Sequence, residues 1–80
     1  MAKQEIIMPK IGPYMENGVL ISWKVKPGDH VEVMDVIAEV TTEKMNSDIE
    51  SIYAGTILEL TGQVGETYAV GTIIGYLDED

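Results

Sequence analysis

The sequence predicts an all-β fold: a flattened barrel or sandwich of two four-stranded antiparallel sheets with internal pseudo-twofold symmetry. Three observations carry this expectation. Apolar and polar residues alternate in short runs cut by turn residues roughly every ten positions, the pattern of a sandwich or barrel. No stretch of the chain has a helical period. Sliding the chain against itself by 37 residues brings Gly18 onto Gly55, Gly28 onto Gly65, Val33 onto Val70, Ile37 onto Ile74 and Met8 onto Met45. Apolar character matches between those identities: Val19-Leu20-Ile21 falls on Thr56-Ile57-Leu58, Val36 on Ile73 and Val40 on Leu77. Two similar four-strand halves can then close so that each covers the other's edges.

Strands are expected at residues 4–8, 18–25, 30–31, 36–41, 45–50, 55–60, 67–68 and 73–77. The first ends at Pro9-Lys10-Ile11-Gly12-Pro13, since two prolines and a glycine cannot continue a ladder. The second places Ile21, Trp23 and Val25 on one face, which makes Trp23 a core residue, and it stops at Lys26-Pro27-Gly28-Asp29. The third is a short pair of residues, and Met34, just beyond it, is read with Met45 as a gap-filler of the core, Met45 having a competing reading beside Lys44. In the fifth, Met45, Ser47 and Ile49 point one way, while Asn46, Asp48 and Glu50 form a solvated face. Thr61-Gly62-Gln63-Val64-Gly65 separates the sixth strand from the last two.

At 80 residues, the chain is expected to be one domain, residues 1–80, near the lower size limit for a single core. It has no cysteine, so neither a disulfide nor a thiolate metal site is available, and a single histidine, His30, cannot anchor a zinc site alone. The net charge of −9, with no arginine at all, argues against nucleic acid as a partner. No apolar run approaches the ~18 residues of a membrane span, and the N-terminus lacks a signal-peptide core, so no membrane partner is expected.

No catalytic constellation is visible. A nucleophile needs an adjacent base, and His30 has no candidate partner at a suitable spacing, leaving it as solvent-exposed filler. There is no phosphate-binding glycine loop, and the carboxylates lie on alternating solvated faces. Lys44 stands apart. From Thr41 to Asp80 there are eight carboxylates and this one ammonium, whereas the first half has four lysines against six acids. It falls where a hairpin turn is expected, among Glu39, Glu43, Asp48 and Glu50. One reading is a solvated surface lysine; the other is an attachment point that a modifying enzyme reaches from outside. The repeat adds a placement: a residue 37 beyond Lys44 lies past the C-terminus, so this turn corresponds to the gap between the chain's own ends. A twofold would then put Lys44 and the termini at opposite ends of the molecule.

The motifs around Lys44 resemble those of a lipoyl domain of the biotinyl/lipoyl-carrier family, over nearly the whole chain. Ile7-Met8-Pro9-Lys10-Ile11-Gly12 and Met15-Glu16-Asn17-Gly18 resemble the opening of acyltransferase components of 2-oxo acid dehydrogenase complexes. Trp23-Lys24-Val25-Lys26-Pro27-Gly28-Asp29-His30-Val31, Thr42-Glu43-Lys44, Ala54-Gly55-Thr56-Ile57 and Gly65-Glu66-Thr67-Tyr68-Ala69-Val70-Gly71 follow in the family's order. Two departures stand out: Thr41 replaces a frequent glutamate, and Met45 follows the lysine as in biotin carriers, although Glu43 before it is lipoyl-like.

The resemblance implies lipoate in amide linkage on Lys44, with Glu43 and Met45 as flanking recognition residues and no catalytic residue in the domain itself. The arm would pass acyl groups and reducing equivalents among three active sites: a thiamine-diphosphate-dependent dehydrogenase, an acyltransferase catalytic domain and dihydrolipoyl dehydrogenase. A lipoate–protein ligase would attach the group. Biotin on Lys44, in a carboxylase, is the alternative cofactor. A glycine-cleavage carrier fits less well, because those proteins carry extra helical segments; an unmodified interaction module is the remaining reading. Recognition is expected on the acidic surface beside Lys44, or failing that in the loop 9–17. The expected setting is the N-terminal part of a longer dihydrolipoamide acyltransferase in the cytoplasm, or in the mitochondrial matrix if eukaryotic, with Asp78-Glu79-Asp80 beginning a polar linker.

Overall fold

All eight expected strands form, most within two residues of the expected bounds. They are β1 Ala2–Ile7, β2 Asn17–Trp23, β3 His30–Val31, β4 Val36–Thr41, β5 Asn46–Glu50, β6 Gly55–Leu60, β7 Thr67–Ala69 and β8 Ile73–Glu79. The structure, a computed structural model, describes residues 2–43 and 45–80; Lys44 lies outside the described residues. The strands pair antiparallel in two four-stranded sheets, β1-β8-β6-β3 and β5-β4-β2-β7, and the molecule measures 36 × 22 × 17 Å along its principal axes.

The pseudo-twofold expected from the repeat is present down to single hydrogen bonds. Exchanging β1 with β5, β2 with β6, β3 with β7 and β4 with β8 converts one sheet order into the other. Val19 pairs with Thr41 and Leu20 with Val40; at the positions 37 residues on, Thr56 pairs with Asp78 and Ile57 with Leu77. Each ladder then slips by one residue at the same place, after Leu20 and after Ile57. Outside the ladders, Leu20 N–H to Glu66 O (3.0 Å) is matched by Ile57 N–H to Asp29 O (2.8 Å).

One alignment made from the sequence is corrected. Met8 does not correspond to Met45. In the ladders Glu5 faces Tyr76 as Asp48 faces Glu39, and Ile6 faces Gly75 as Ile49 faces Ala38, an offset of 43 for β1 and β5. Met8 therefore corresponds to Ser51: Met8 donates to Thr72 O and Ser51 to Asp35 O, at 2.9 and 2.8 Å. Since the offset is 43 before the connection and 37 after it, the β1–β2 loop is six residues longer than the β5–β6 loop.

The core between the sheets contains Leu20, Ile37, Val40, Ile57, Ile74, Leu77 and Met8, all essentially inaccessible to solvent. Inward positions alternate over Ala38–Val40 of β4 and Gly75–Leu77 of β8, because a pleated strand sends successive side chains to opposite faces, and in each strand an adjacent buried residue, Ile37 or Ile74, breaks the alternation. Three side chains assigned inward from sequence lie elsewhere. Trp23 is half-buried at the rim, packed against the core with its Nε1–H donating to Gly62 O at 2.9 Å, because a buried indole needs an acceptor. Met45 lies beyond the end of β5 and is exposed, although Ile49 on the same face is buried. Met34 is 66 % exposed and sits at a backbone φ of 78°.

The Met34 backbone follows from the symmetry. Its counterpart is Gly71, at φ 91°, and the two make matching bonds: Met34 N–H to Ser51 O and Gly71 N–H to Met8 O. The turn demands a left-handed residue, which costs an L side chain about 1–2 kcal/mol. Glycine avoids that cost but loses about 0.5–1 kcal/mol more chain entropy on folding. Met34→Gly is therefore expected to stabilise the fold slightly, raising the thermal midpoint by a few degrees at about 4–8 °C per kcal/mol. A midpoint that falls in calorimetry would show that the Met34 side chain contributes more than its backbone loses.

Candidate functional site

The β4–β5 hairpin builds the site from its base upward. Glu39 faces Asp48, Val40 faces Ser47 and Thr41 faces Asn46. Beyond them Thr42 N–H and Oγ1 both donate to Met45 O, at 2.8 and 3.2 Å, and Thr41 Oγ1 donates to Asn46 Oδ1 at 2.5 Å. The neck is thus tied by backbone and hydroxyl bonds, leaving Glu43 and Lys44 as the two residues of sequence between Thr42 and Met45. Under the twofold the Thr42–Met45 pair corresponds to the Glu79–Ala2 pair. The hairpin tip is therefore the counterpart of the gap between the chain ends, as the repeat implied.

The acids do not ring the tip as expected from the sequence. Glu43 alone lies in the turn, exposed. Glu39 leans toward Lys24, with Oε1 3.6 Å from Nζ. Asp48 sits opposite Glu39, and Glu50 lies at the far end of β5 opposite Val36. At about 3.3 Å per residue, Glu50 is well over 10 Å down the strand from the turn.

What sequence reading missed is a cleft. The six extra residues of the β1–β2 connection fold beside the tip, enclosing about 420 Å³ between residues 11–17 on one side and Thr42, Glu43 and Met45 on the other. Ile11 and Met15 pack their inner sides against the core, and Met15 Sδ accepts the Ile11 N–H at 3.2 Å. Glu16 O, accepting from Val70 N–H at 3.0 Å, ties the loop's end to the sheet. Tyr14 projects outward, 92 % exposed. Its described lining carries two carboxylates, Glu16 and Glu43, and no cation. The cleft suits an uncharged, apolar guest in the size range of small-ligand sites. The signal available in the sequence was the failure of the 37-residue repeat between Met8 and Gly18.

Away from the tip, His30 is not the partnerless filler expected. Its Nε2 lies 2.9 Å from Asp80 Oδ2, fifty residues away in sequence. Glu32 completes a group whose ligand atoms lie within 4.8 Å of one another, all three residues exposed. The hydrogen bond that His30 donates to Asp80 raises the His30 pKa above its ordinary 6.5; desolvation opposes it and the charges of Asp80, Glu32 and Asp35 assist it. A raised histidine stabilises the fold fully below its unfolded pKa, and the contribution disappears as pH climbs through the folded pKa. The His30 ring protons followed by NMR should titrate above 6.5, and Asp80→Asn should lower the midpoint; an unchanged midpoint in the variant would remove Asp80 as the cause.

Comparison with known proteins places this geometry. Residues 4–77 match the Biotin_lipoyl family model, described as "Biotin-requiring enzyme". The lipoamide acyltransferase component of the branched-chain alpha-keto acid dehydrogenase complex of Bacillus subtilis is 43 % identical over 74 residues, 92 % of this chain and 18 % of that protein. The pyruvate dehydrogenase E1 component subunit beta of Rhizobium meliloti is 42 % identical over 77 residues, 95 % of this chain and 17 % of that one. The chain thus spans less than a fifth of the length of these curated relatives. Among solved structures, the lipoyl domain of the 2-oxoglutarate dehydrogenase complex from Azotobacter vinelandii superposes with a TM-score of 0.73 at 27 % identity, covering 94 % of this chain and 95 % of that one. Two four-strand halves related by a pseudo-twofold and a sequence match running from the first strand into the last have one reading: the chain belongs to the biotin/lipoyl-attachment family.

Proposed function

We propose that this chain is a lipoyl carrier, with lipoate joined in amide linkage to Lys44 and Glu43 and Met45 read by the attaching ligase. The observation that carries the proposal is likeness, over nearly the whole chain, to a lipoyl domain of known structure, with a tied hairpin neck on either side of the Glu43-Lys44 dipeptide. When attached, the dithiolane supplies acyl and electron acceptance; the protein supplies position and recognition. The neck bonds of Thr41 and Thr42 close the hairpin below the Glu43-Lys44 dipeptide, and a group attached there would be offered to another protein's active site. Tethering replaces diffusion of free lipoate by a high effective concentration.

The partners in this proposal are a thiamine-diphosphate-dependent dehydrogenase, an acyltransferase catalytic domain, dihydrolipoyl dehydrogenase and a lipoate–protein ligase, acting in the cytoplasm or the mitochondrial matrix. Relatives named for branched-chain, pyruvate, acetoin and 2-oxoglutarate systems all match, so the module is common to several 2-oxo acid and acetoin chemistries. A match inside a dehydrogenase subunit as well as in acyltransferases means that the host chain is not determined by the module.

Biotin is the second reading, and Met45 is the residue that favours it. The test is intact mass after incubation with each ligase and its cofactor. Lipoate should add one group to every molecule and biotin little. Glu43→Met, which supplies a second flanking methionine, should raise biotinylation sharply, and Met45→Ala should remove what remains. Faster biotinylation than lipoylation of the unmutated chain would reverse the choice of cofactor.

A further inference from the structure

The pseudo-twofold is broken in one main place, and the break lies beside the modified turn. The two sheets share strand order, bulges and loop hydrogen bonds, yet the β1–β2 connection alone carries six more residues than its counterpart. Those residues make the wall of the cleft whose opposite lip is Glu43 and Met45, the neighbours of Lys44 in sequence. The counterpart loop, residues 51–54, is too short to form such a wall.

We infer that this cleft is a resting dock for the group carried on Lys44, an inference that rests on the lipoyl-carrier reading. Three features select that occupant. The tether fixes it at the cleft's own lip, so docking requires no encounter and is favoured by a high effective concentration. The wall is apolar, formed by Ile11, Pro13, Tyr14 and Met15, and thioethers and aromatic rings suit an alkyl chain ending in sulfur. Among the described residues, the charges lining it are the carboxylates of Glu16 and Glu43, which repel an anion and leave an amide-linked, uncharged arm as the fitting guest. Docking withdraws the apolar arm from water between visits to partner sites. The exposed Tyr14 ring forms the outer wall.

The experiment compares the ¹⁵N-labelled chain before and after lipoylation, with intact mass and peptide mapping establishing the modification. The expected result is amide shift changes at Ile11, Tyr14 and Met15, with nuclear Overhauser contacts from the arm's methylenes to the Tyr14 ring and the Met15 methyl. A docked fraction of about two-thirds should slow reduction of the dithiolane by a phosphine about threefold relative to free lipoamide. Tyr14→Ala, at a side chain 92 % exposed and so without a structural role, should restore the free rate and remove the contacts. Shifts confined to residues 43–45, no contacts to the loop and reduction at the free rate would overturn the dock while leaving the carrier reading intact. Absence of a lipoyl group, or a lipoyl group on another lysine, would overturn both.

Discussion

Lys44→Arg is expected to abolish modification and, with it, acyl transfer through this domain, while leaving the fold unchanged. Arginine keeps the positive charge, but its guanidinium stays protonated and cannot form the amide. After incubation with ligase and lipoate, the variant's intact mass should be that of the unmodified chain. Turnover in the assembled complex should drop to background, on the order of a thousandfold, because the loss removes the intramolecular delivery of substrate. The fold should persist because the hairpin is tied at its neck by Thr41, Thr42, Met45 and Asn46. Two of the other lysines are already engaged. Lys3 lies over the Tyr76 ring, 4.4 Å from its centroid, and Lys24 is drawn to Glu39. Neither projects from a hairpin tip. Lipoyl attachment at Lys3, Lys10, Lys24 or Lys26 in the variant would remove the assignment.

The largest effect on stability is expected at Gly55. It lies in β6 between two neighbours, facing Glu79 of β8 and Val31 of β3. A Cβ there would fall on the carbonyl oxygen of Asp78 and come within 2.8 Å of Leu77 Cδ1. The carbonyl belongs to the central ladder and cannot yield without spreading β6 from β8. Its symmetry mate, Gly18, is more forgiving: a Cβ would meet the flexible Met15 Cε at 3.0 Å, with the Thr41 carbonyl at 3.5 Å. Overpacking of this kind costs about 1–3 kcal/mol or more, a large share of the roughly 5–10 kcal/mol typical of a small domain. Gly55→Ala should lower the thermal midpoint by on the order of 10–20 °C, and Gly18→Ala by clearly less. Equal losses at the two sites in parallel melts would mean that the carbonyl contact is relieved by backbone movement.

Local pattern alone determined the strands, because side-chain alternation and turn residues act over a few positions. The symmetry was also legible, since Gly28 and Gly65 mark turns of left-handed backbone at φ 96° and 93° that recur 37 residues apart. Matching identities could still mislead. Met8 and Met45 agree at that offset by coincidence, and only the hydrogen-bonded ladders revealed that β1 and β5 are related by 43. The depth of a residue likewise required packing partners. Met34 reads as core from its composition, but a turn whose other copy is glycine holds it outside. His30 and Asp80 meet because β3 and the end of β8 both flank β6, a contact between residues fifty apart that no local pattern encodes. For the proposed site, the motif around Lys44 was written in the chain, since a flanked lysine in a turn is a local pattern. The cleft beside it was decided by tertiary structure: a six-residue excess in one loop gains a position in space only when its two ends are held by different strands.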